Sequence, residues 1–425
     1  MTLRPARGGA IAVIATAAIA LQALVIGLAA AGPSGPPPTP IPPKGSLSPF
    51  PQALHTPADA TQIPDIDAPV AYLADLDDGR VMFAKAPEAR RPIASLTKIM
   101  TAMLVLERGN LDRVVTVAPE AVFDHDDFGE SSALGLRARE HRTVRELLYA
   151  LMLQSANDAA VALAIDRSGS EAKFVATMDR RAKELGMGST AFFSPNGLDD
   201  RGRSTARDLA TLVRAAYATP GFAPLVATKF RTIPAPPGEK PRHIQNRNAL
   251  LWLYPGAVGV KTGSTAGAGD CIVAVAERDG RRLVAIVLGS SREVFSDAAT
   301  LFDFGFEGFQ RRTFVTEGDD LGTVAIRGGA VETSADETLA ALVPTAGLDR
   351  LHRRIVVDSD AVFPPAPGER IGTLKITLPG LTVGTVPVVV ARVPPPPPSG
   401  DAPWWVSATG SVARGVGDVL GGLFG

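Results

Sequence analysis

Residues 271–289, CIVAVAERDGRRLVAIVLG, are two β-rich apolar runs around Asp279-Gly280. Asp-Gly between such runs predicts a hairpin, because both residues tolerate the positive φ that a two-residue turn requires. A second stretch of this kind, residues 70–84 (VAYLADLDDGRVMFA), alternates around Asp78-Gly79. The chain between them reads as helices. Ile99, Met100, Met103, Leu104 and Leu106 form one apolar face, stopped by Gly109-Asn110. Thr143 with Glu146, and Thr205 with Asp208, have capping-box spacing ahead of LLYALML and LATLV. Ser170 is placed to cap a helix ending at Gly186, and a last helix is expected over Ser296–Phe304. Strands at both ends with helices between predict one sheet built from both ends of the segment, with a helical insert against it.

From Val315 to Val393 the pattern changes to short strands: LGTVAI, RIVVD, IGTLKITL and VGTVPVVVARV. Gly, Pro and Asp turns separate them, which predicts a small all-β domain.

Three short constellations carry chemistry. The first is Ser95-Leu96-Thr97-Lys98, at the start of the first long helix. Spacing of three puts Ser95 and Lys98 on one helical face. Serine is a weak nucleophile without a neighbouring base, and a lysine near other cations can have its pKa lowered enough to serve. A serine at a helix N-terminus also lends its N–H to an oxyanion. Alone, S-x-x-K arises about once by chance in a chain of this length. The second is Ser155-Ala156-Asn157, in the break between a helix ending near Leu153 and one starting at Asp158. A polar pair at such a corner can face a cleft; alternatively, Asn157 or Asp158 simply caps the next helix. The third is Lys261-Thr262-Gly263, following VGV and leading through Ser264-Thr265 towards the strand at Cys271. On an edge strand, a lysine and a hydroxyl can address a carboxylate while a glycine lets the backbone approach.

In this order the three match S-x-x-K, a Ser-x-Asn element and K-T-G. Together with IASLTKIMTA, LMLQSANDAAVALA, SPNGLDDRGRSTARDLA, NRNALLWLYPGAVGVKTGSTAGAGDC and FDFGFEGF, they make the chain resemble the D-alanyl-D-alanine carboxypeptidases among the low-molecular-mass penicillin-binding proteins. The stretches GGAVETSADETLAALVP and GERIGTLKITLPGLTVGTVPVVV resemble the C-terminal β-domain of the same family. The resemblance implies an α/β (α+β) fold: a β-lactamase/transpeptidase-like domain with antiparallel sheet and helical subdomain over 65–312, then a small all-β domain over 313–393.

It also implies residue roles. Ser95 would form an ester with the penultimate D-alanine of a peptidoglycan stem pentapeptide, releasing the terminal D-alanine before water hydrolyses the ester. Lys98 would be the base, Ser155 would pass a proton to the leaving amine, and Asn157 would hold the peptide backbone. Lys261 would sustain a positive potential. Thr262 would contact the terminal carboxylate, with Arg247 as a second candidate. Gly263 would belong to the substrate-binding strand, and the N–H groups of Ser95 and Ser264 would form the oxyanion hole. A β-lactam would form the same ester and stay, as an inhibitor.

The sequence departs from the family at Ala156, usually Gly, at Ser264, usually aromatic or His, and at Asn196, often His and given no role here. The alternatives are a β-lactamase or DD-endopeptidase of the same fold, or a catalytically silent β-lactam-sensing or wall-binding module. A Glu-x-x-Leu-Asn deacylating element is missing from SPNGLDDRGRSTARDLA, which counts against a β-lactamase.

The ends of the chain differ from its middle. Gly8 to Gly32 is an uncharged run broken only by Thr16 and Gln22 and preceded by Arg4 and Arg7. As a helix it would reach about 37 Å, enough to span a bilayer, and Ala29-Ala30-Ala31 offers a cleavage site. Residues 1–32 therefore read as a signal peptide or N-terminal membrane anchor, and 33–64 as a Pro-rich linker. Residues 394–425 read as a second Pro-rich linker and an amphipathic tail carrying Trp404 and Trp405. These features place the protein outside the cytoplasm, at the outer face of the membrane or the cell wall.

With 43 Lys+Arg against 44 Asp+Glu the chain offers no field for nucleic acid. A single cysteine, Cys271, rules out an intrachain disulfide, and five histidines without ligand spacing predict no metal; no cofactor is implied. Cys271 reads as a buried small residue, Asp124, Asp126, Asp127 and Glu130 around His125 as a solvated loop, and Arg137, Arg139 and Arg142 as a solvated turn.

Overall fold

The computed structural model describes residues 63–123, 132–235, 238–291 and 293–393. The N-terminal apolar run, nearly all of the first linker, the acidic stretch around His125 and the tail after Val393 lie outside the described residues. Among the described residues, no helix is long and apolar enough to cross a membrane.

Both Asp-Gly stretches fold as hairpins and join one antiparallel sheet. Its strands are β1 (Val70–Asp75), β2 (Val81–Lys85), β3 (Ala257–Thr265), β4 (Gly269–Arg278) and β5 (Arg281–Ser290), in the order β2-β1-β5-β4-β3. Val70 pairs with Leu288, so the sheet closes from both ends of the segment as the sequence predicts. The central strands are continuously apolar rather than alternating because both faces are covered. Val70, Tyr72, Cys271, Val273, Val284 and Ile286 face one core, while Ala71, Leu73, Ile272, Ala274, Leu283 and Ala285 face a second. Cys271 is buried, and burial raises its thiol pKa to about 11.

The first core is shared with the helical insert: α1 (Lys98–Arg108), α2 (Val144–Tyr149), α3 (Asn157–Ser168), α4 (Glu171–Glu184) and α5 (Ala206–Ala218). Helix α1 is buried from Lys98 to Leu106. Each of Ile99, Met100 and Met103 contributes about 1.5–3 kcal/mol by leaving water, which anchors the turn before it. Thr143 and Glu146 form the full capping box. Thr205 accepts from the Asp208 N–H, but the Asp208 carboxylate turns instead to the Ser189 N–H and the Thr190 hydroxyl. The second core is closed by α6 (Val294–Gly308), longer at both ends than its periodicity predicts.

The β-domain follows directly. Strand β6 (Phe309–Val315) pairs with β9 (Leu339–Pro344). A five-stranded sheet contains β7 (Asp320–Ile326), β8 (Gly329–Ala335), β10 (His352–Val357), β11 (Arg370–Leu378) and β12 (Leu381–Arg392), in the order β7-β8-β12-β11-β10. Phe314, Val331, Ile371, Ile376, Val386 and Val388 fill a core of its own. Arg80 donates to the Leu342 carbonyl at 2.5 Å and Arg281 to the Phe309 carbonyl at 2.8 Å, fastening it to the enzyme-like part.

One reading is corrected. Arg137 and Arg139 are exposed, but Arg142 is 5% exposed. It donates to Glu140 and to the Pro234 carbonyl, and Arg242 donates to Glu140 as well. Burial pushes the Glu140 carboxyl upward, but hydrogen bonds from Arg242, the Arg137 N–H and Arg142 outweigh it and hold the pKa near about 2. Two guanidiniums sharing one carboxylate make burial of all three tolerable.

Candidate active site

Ser95 sits in a 3₁₀ turn, Ala94–Thr97, that runs directly into α1, whose first residue is Lys98. The Lys98 side chain is 0% exposed. Its Nζ lies 2.9 Å from Ser95 Oγ and donates to Asn157 Oδ1 at 2.7 Å and to the Asn196 carbonyl at 2.6 Å. Burial, then Lys261 and Arg247, drive its pKa well below the ordinary lysine value, with Asp158 partly opposing them.

The second constellation is shaped by a π-helical turn, Ala150–Gln154, that continues α2. It leaves Ser155 in the left-handed region (φ 64°) and buried. The N-cap of α3 is Ala156, without a side-chain bond, so neither Asn157 nor Asp158 caps the helix. Asn157 faces Lys98 instead. The Asp158 carboxylate accepts from the N–H groups of Leu134, Gly135 and Leu136, and the Asn157 N–H donates to the Ser132 carbonyl.

The third lies on β3, an edge strand as expected. Lys261 is 1% exposed and donates to the Thr262 carbonyl at 2.7 Å. Burial first, then Arg247, lowers its pKa to about 7. A Cβ at Gly263 would fall 2.9 Å from the Ser95 nitrogen and 3.2 Å from the Ile93 carbonyl oxygen. Glycine here permits the strand to lie directly against the Ala94–Thr97 turn. Thr262 is half-buried and Ser264 exposed on the same strand. Arg247 is half-buried; its N–H donates to the Leu153 carbonyl at 3.0 Å, tying its segment to the π-turn. Its guanidinium contributes charge to both lysines.

The structure therefore brings Ser95, Lys98 and Asn157 together by direct contact, and sets Lys261, Gly263 and Arg247 around them. Sequence reading missed the loop that completes the group. Residues 194–198 supply the Asn196 carbonyl to Lys98, and the Pro195 carbonyl accepts from the Thr101 hydroxyl at 2.7 Å. Gly197 has φ +79°, and a Cβ there would fall 1.9 Å from the Ala94 carbonyl oxygen in the turn that carries Ser95. Its Asn-Gly signal predicts a turn, but a carbonyl has no side-chain signature. Among the described residues no His/Cys/Asp/Glu group could hold a metal.

This geometry places a buried amine against a serine hydroxyl without histidine, an arrangement suited to acyl transfer. The comparisons agree. Residues 57–292 match the peptidase S11 family, D-alanyl-D-alanine carboxypeptidase. A D-alanyl-D-alanine carboxypeptidase of Mycobacterium tuberculosis is 40% identical over 258 residues, 59% of this chain and 86% of the relative. One of Bacillus subtilis is 29% identical over 329 residues, 76% of this chain and 84% of the relative. The solved D-alanyl-D-alanine carboxypeptidase of Francisella tularensis superposes with a TM-score of 0.66 at 25% identity, covering 80% of this chain and 95% of its own. With more than half of its length matched and its three motifs drawn into one buried cluster, the chain belongs to the D-alanyl-D-alanine carboxypeptidase family, the low-molecular-mass penicillin-binding proteins.

Proposed function

We propose that this chain is a serine-type D-Ala-D-Ala carboxypeptidase that trims the terminal D-alanine from peptidoglycan stem pentapeptides through a Ser95 ester, and that β-lactams trap the same ester. The observation that carries the reading is the set of three contacts on Lys98 Nζ. Asn157 Oδ1 and the Asn196 carbonyl can only accept, so they take both protons of a neutral amine. The remaining lone pair then points at the third neighbour, Ser95 Oγ, 2.9 Å away. That is the orientation of a general base.

In this reading the Ser95 proton passes to Lys98 as Oγ attacks the scissile carbonyl. The N–H groups of Ser95 and Ser264 receive the developing oxyanion. Ser155 passes its proton to the leaving D-alanine amine and takes in its place the proton held by Lys98, and Asn157 aligns the peptide. Lys261, Thr262 and Arg247 draw in the terminal carboxylate, with Gly263 allowing the peptide close to the strand. Water then hydrolyses the ester.

The same reading assigns 65–312 to the enzyme and 313–393 to a separate β-domain. Support comes from the separate core of 314–390 and from relatives of two extents, matching 59% and 76% of the chain. It further assigns 1–32 to a signal peptide or membrane anchor, 33–64 to a spacer, and 394–425 to a linker and amphipathic tail. The enzyme would then work outside the cytoplasm, near the membrane and cell wall.

Incubation with a labelled penicillin, followed by peptide mapping, and with a pentapeptide ending in D-Ala-D-Ala tests the proposal. The expected result is one adduct on Ser95 and released D-alanine. An adduct elsewhere, or no release, overturns it; an adduct without release favours the sensing module.

The two lysines set a pH profile. Lys98 must be neutral and Lys261 charged, so kcat/KM is expected to fall as pH rises through the Lys261 pKa, about 7. Arg247→Gln removes a neighbouring cation, which raises both lysine pKa values and moves both limbs to higher pH. Limbs that stay in place would show that Lys261 does not titrate in the reaction.

A further inference from the structure

We propose that Asp200 is a positioning residue for acylation, fixing the gap between the K-T-G strand and the loop that holds Lys98. The inference rests on the reading of Ser95 and Lys98 given above.

Among the described residues strand β3 is at the edge of its sheet: β4 holds it on one side, and no strand pairs with it on the other. The distance from Gly263 to Ser95 therefore depends on what grips the free side. The loop of residues 194–203 enters the site twice. At its start it receives Thr101 and Lys98 on the Pro195 and Asn196 carbonyls. Further on, the Asp200 carboxylate accepts the Thr265 hydroxyl at 2.6 Å, and Thr265 Oγ1 accepts the Ala268 N–H at 3.1 Å. The hydroxyl is thus held from both sides, its proton committed to Asp200 and its lone pair to the β3–β4 turn. The turn sits close: a Cβ at Gly267 would fall 2.5 Å from Asp200 Oδ2 and 2.9 Å from its Cγ. Thr265 is two residues beyond Gly263, where an added Cβ would fall 2.9 Å from the Ser95 nitrogen. One loop therefore holds the base at one end and the substrate strand at the other, and Asp200 is its grip on the strand. The neighbouring acid does something else: Asp199 pairs with Arg201, which lies over the Phe193 ring.

The test compares Asp200→Ala, Thr265→Val, the double variant, Asp200→Asn and Asp199→Ala in the full chain. It reads Ser95 labelling rate, kcat and KM for the pentapeptide, and Tm. Misplacing reacting groups by about 1 Å costs up to about a hundredfold. Asp200→Ala and Thr265→Val are each expected to slow acylation about tenfold to a hundredfold, mainly in kcat. The double variant is expected to be no slower than the worse single one. Asp200→Asn, whose amide oxygen still accepts the Thr265 hydroxyl, is expected to recover most of the rate, and Asp199→Ala to stay near wild type. A wild-type rate in Asp200→Ala, losses that multiply in the double variant, no recovery in Asp200→Asn, or a loss confined to KM each overturns the proposal. If Asp200→Ala does not fold, Thr265→Val decides by the same criteria. Wild-type protein without a Ser95 adduct overturns the carboxypeptidase reading and this proposal together; a wild-type adduct with unaffected variants overturns this one alone.

Discussion

A Lys98→Met variant is expected to form the Ser95 ester about a thousandfold more slowly than wild type, or slower still, while remaining folded. Methionine keeps an unbranched chain of similar reach in a fully buried place but has no basic nitrogen, and general-base catalysis contributes about 10²–10⁴-fold. The Asn157 and Asn196 oxygens lose their donor, a cost of about 1–3 kcal/mol for each unsatisfied group. Loss of a buried amine from an apolar surrounding offsets part of that. Lys98→Arg separates base from charge. Guanidinium keeps donors for both oxygens but cannot give up a proton in this pH range, so it is expected to be as slow as methionine. Time courses of penicillin labelling read by intact mass measure both. Esterification by either variant within tenfold of wild type would remove Lys98 from the role of base.

Gly197→Ala is expected to combine a loss of stability with a loss of acylation. At φ +79°, a Cβ would fall 1.9 Å from the Ala94 carbonyl oxygen, 2.6 Å from its carbon and 2.8 Å from Thr97 Oγ1. The obstacle is the backbone of the Ala94–Thr97 turn, which cannot rotate away. Ala94 itself has a positive φ of 46°, so that turn has little freedom to yield. Relief requires lifting the loop, and with it the Asn196 carbonyl, off Lys98. The strained φ costs about 1 kcal/mol and the overlap about 1–3 kcal/mol more, with acylation down about a hundredfold. Gly186→Ala isolates the first component. Gly186 has the same φ of +79° with nothing within 4 Å, so it is expected to cost about 1 kcal/mol and leave acylation unchanged. Denaturant melts and labelling rates separate the two. Equal behaviour of both variants would show that contact with the Ala94–Thr97 turn carries no weight.

The parts that were legible in sequence are those where a side chain or a turn residue does the work. Asp-Gly marks both hairpins, and Ser95, Lys98 and Lys261 are chemically distinctive at their spacings. Other features left no such trace. LLYALML reads as one helix because a π-turn inserts a residue without demanding any residue type, yet that insertion is what turns Ser155 left-handed and buries it. The Asn196 contact uses a main-chain carbonyl that any residue would offer. Arg142 reads as solvated among three arginines because its burial depends on Glu140 and on Arg242, which arrives from a distant ladder pairing with Phe230–Ile233. Strand β8 gives no clear strand signal because GAVETSA mixes polar and apolar positions, as a half-covered strand does.

Pairing of Val70 with Leu288 also bears on how the molecule comes into being. Strand β1 emerges among the first folded residues and can pair at once with β2 on one side, but its other side has no partner until β5 has been made, almost the whole 65–312 segment later. Contacts of such sequence separation are slow to form, because a long loop must be closed before any pairing rewards it. The helical insert, with its local contacts and caps, can gather earlier. Until β5 arrives, the β1 side of that hairpin is an apolar strand edge open to other chains. A chain interrupted before Arg281 therefore lacks the strand that joins the two halves of its sheet, and its birth is the stage at which a holding chaperone would matter most.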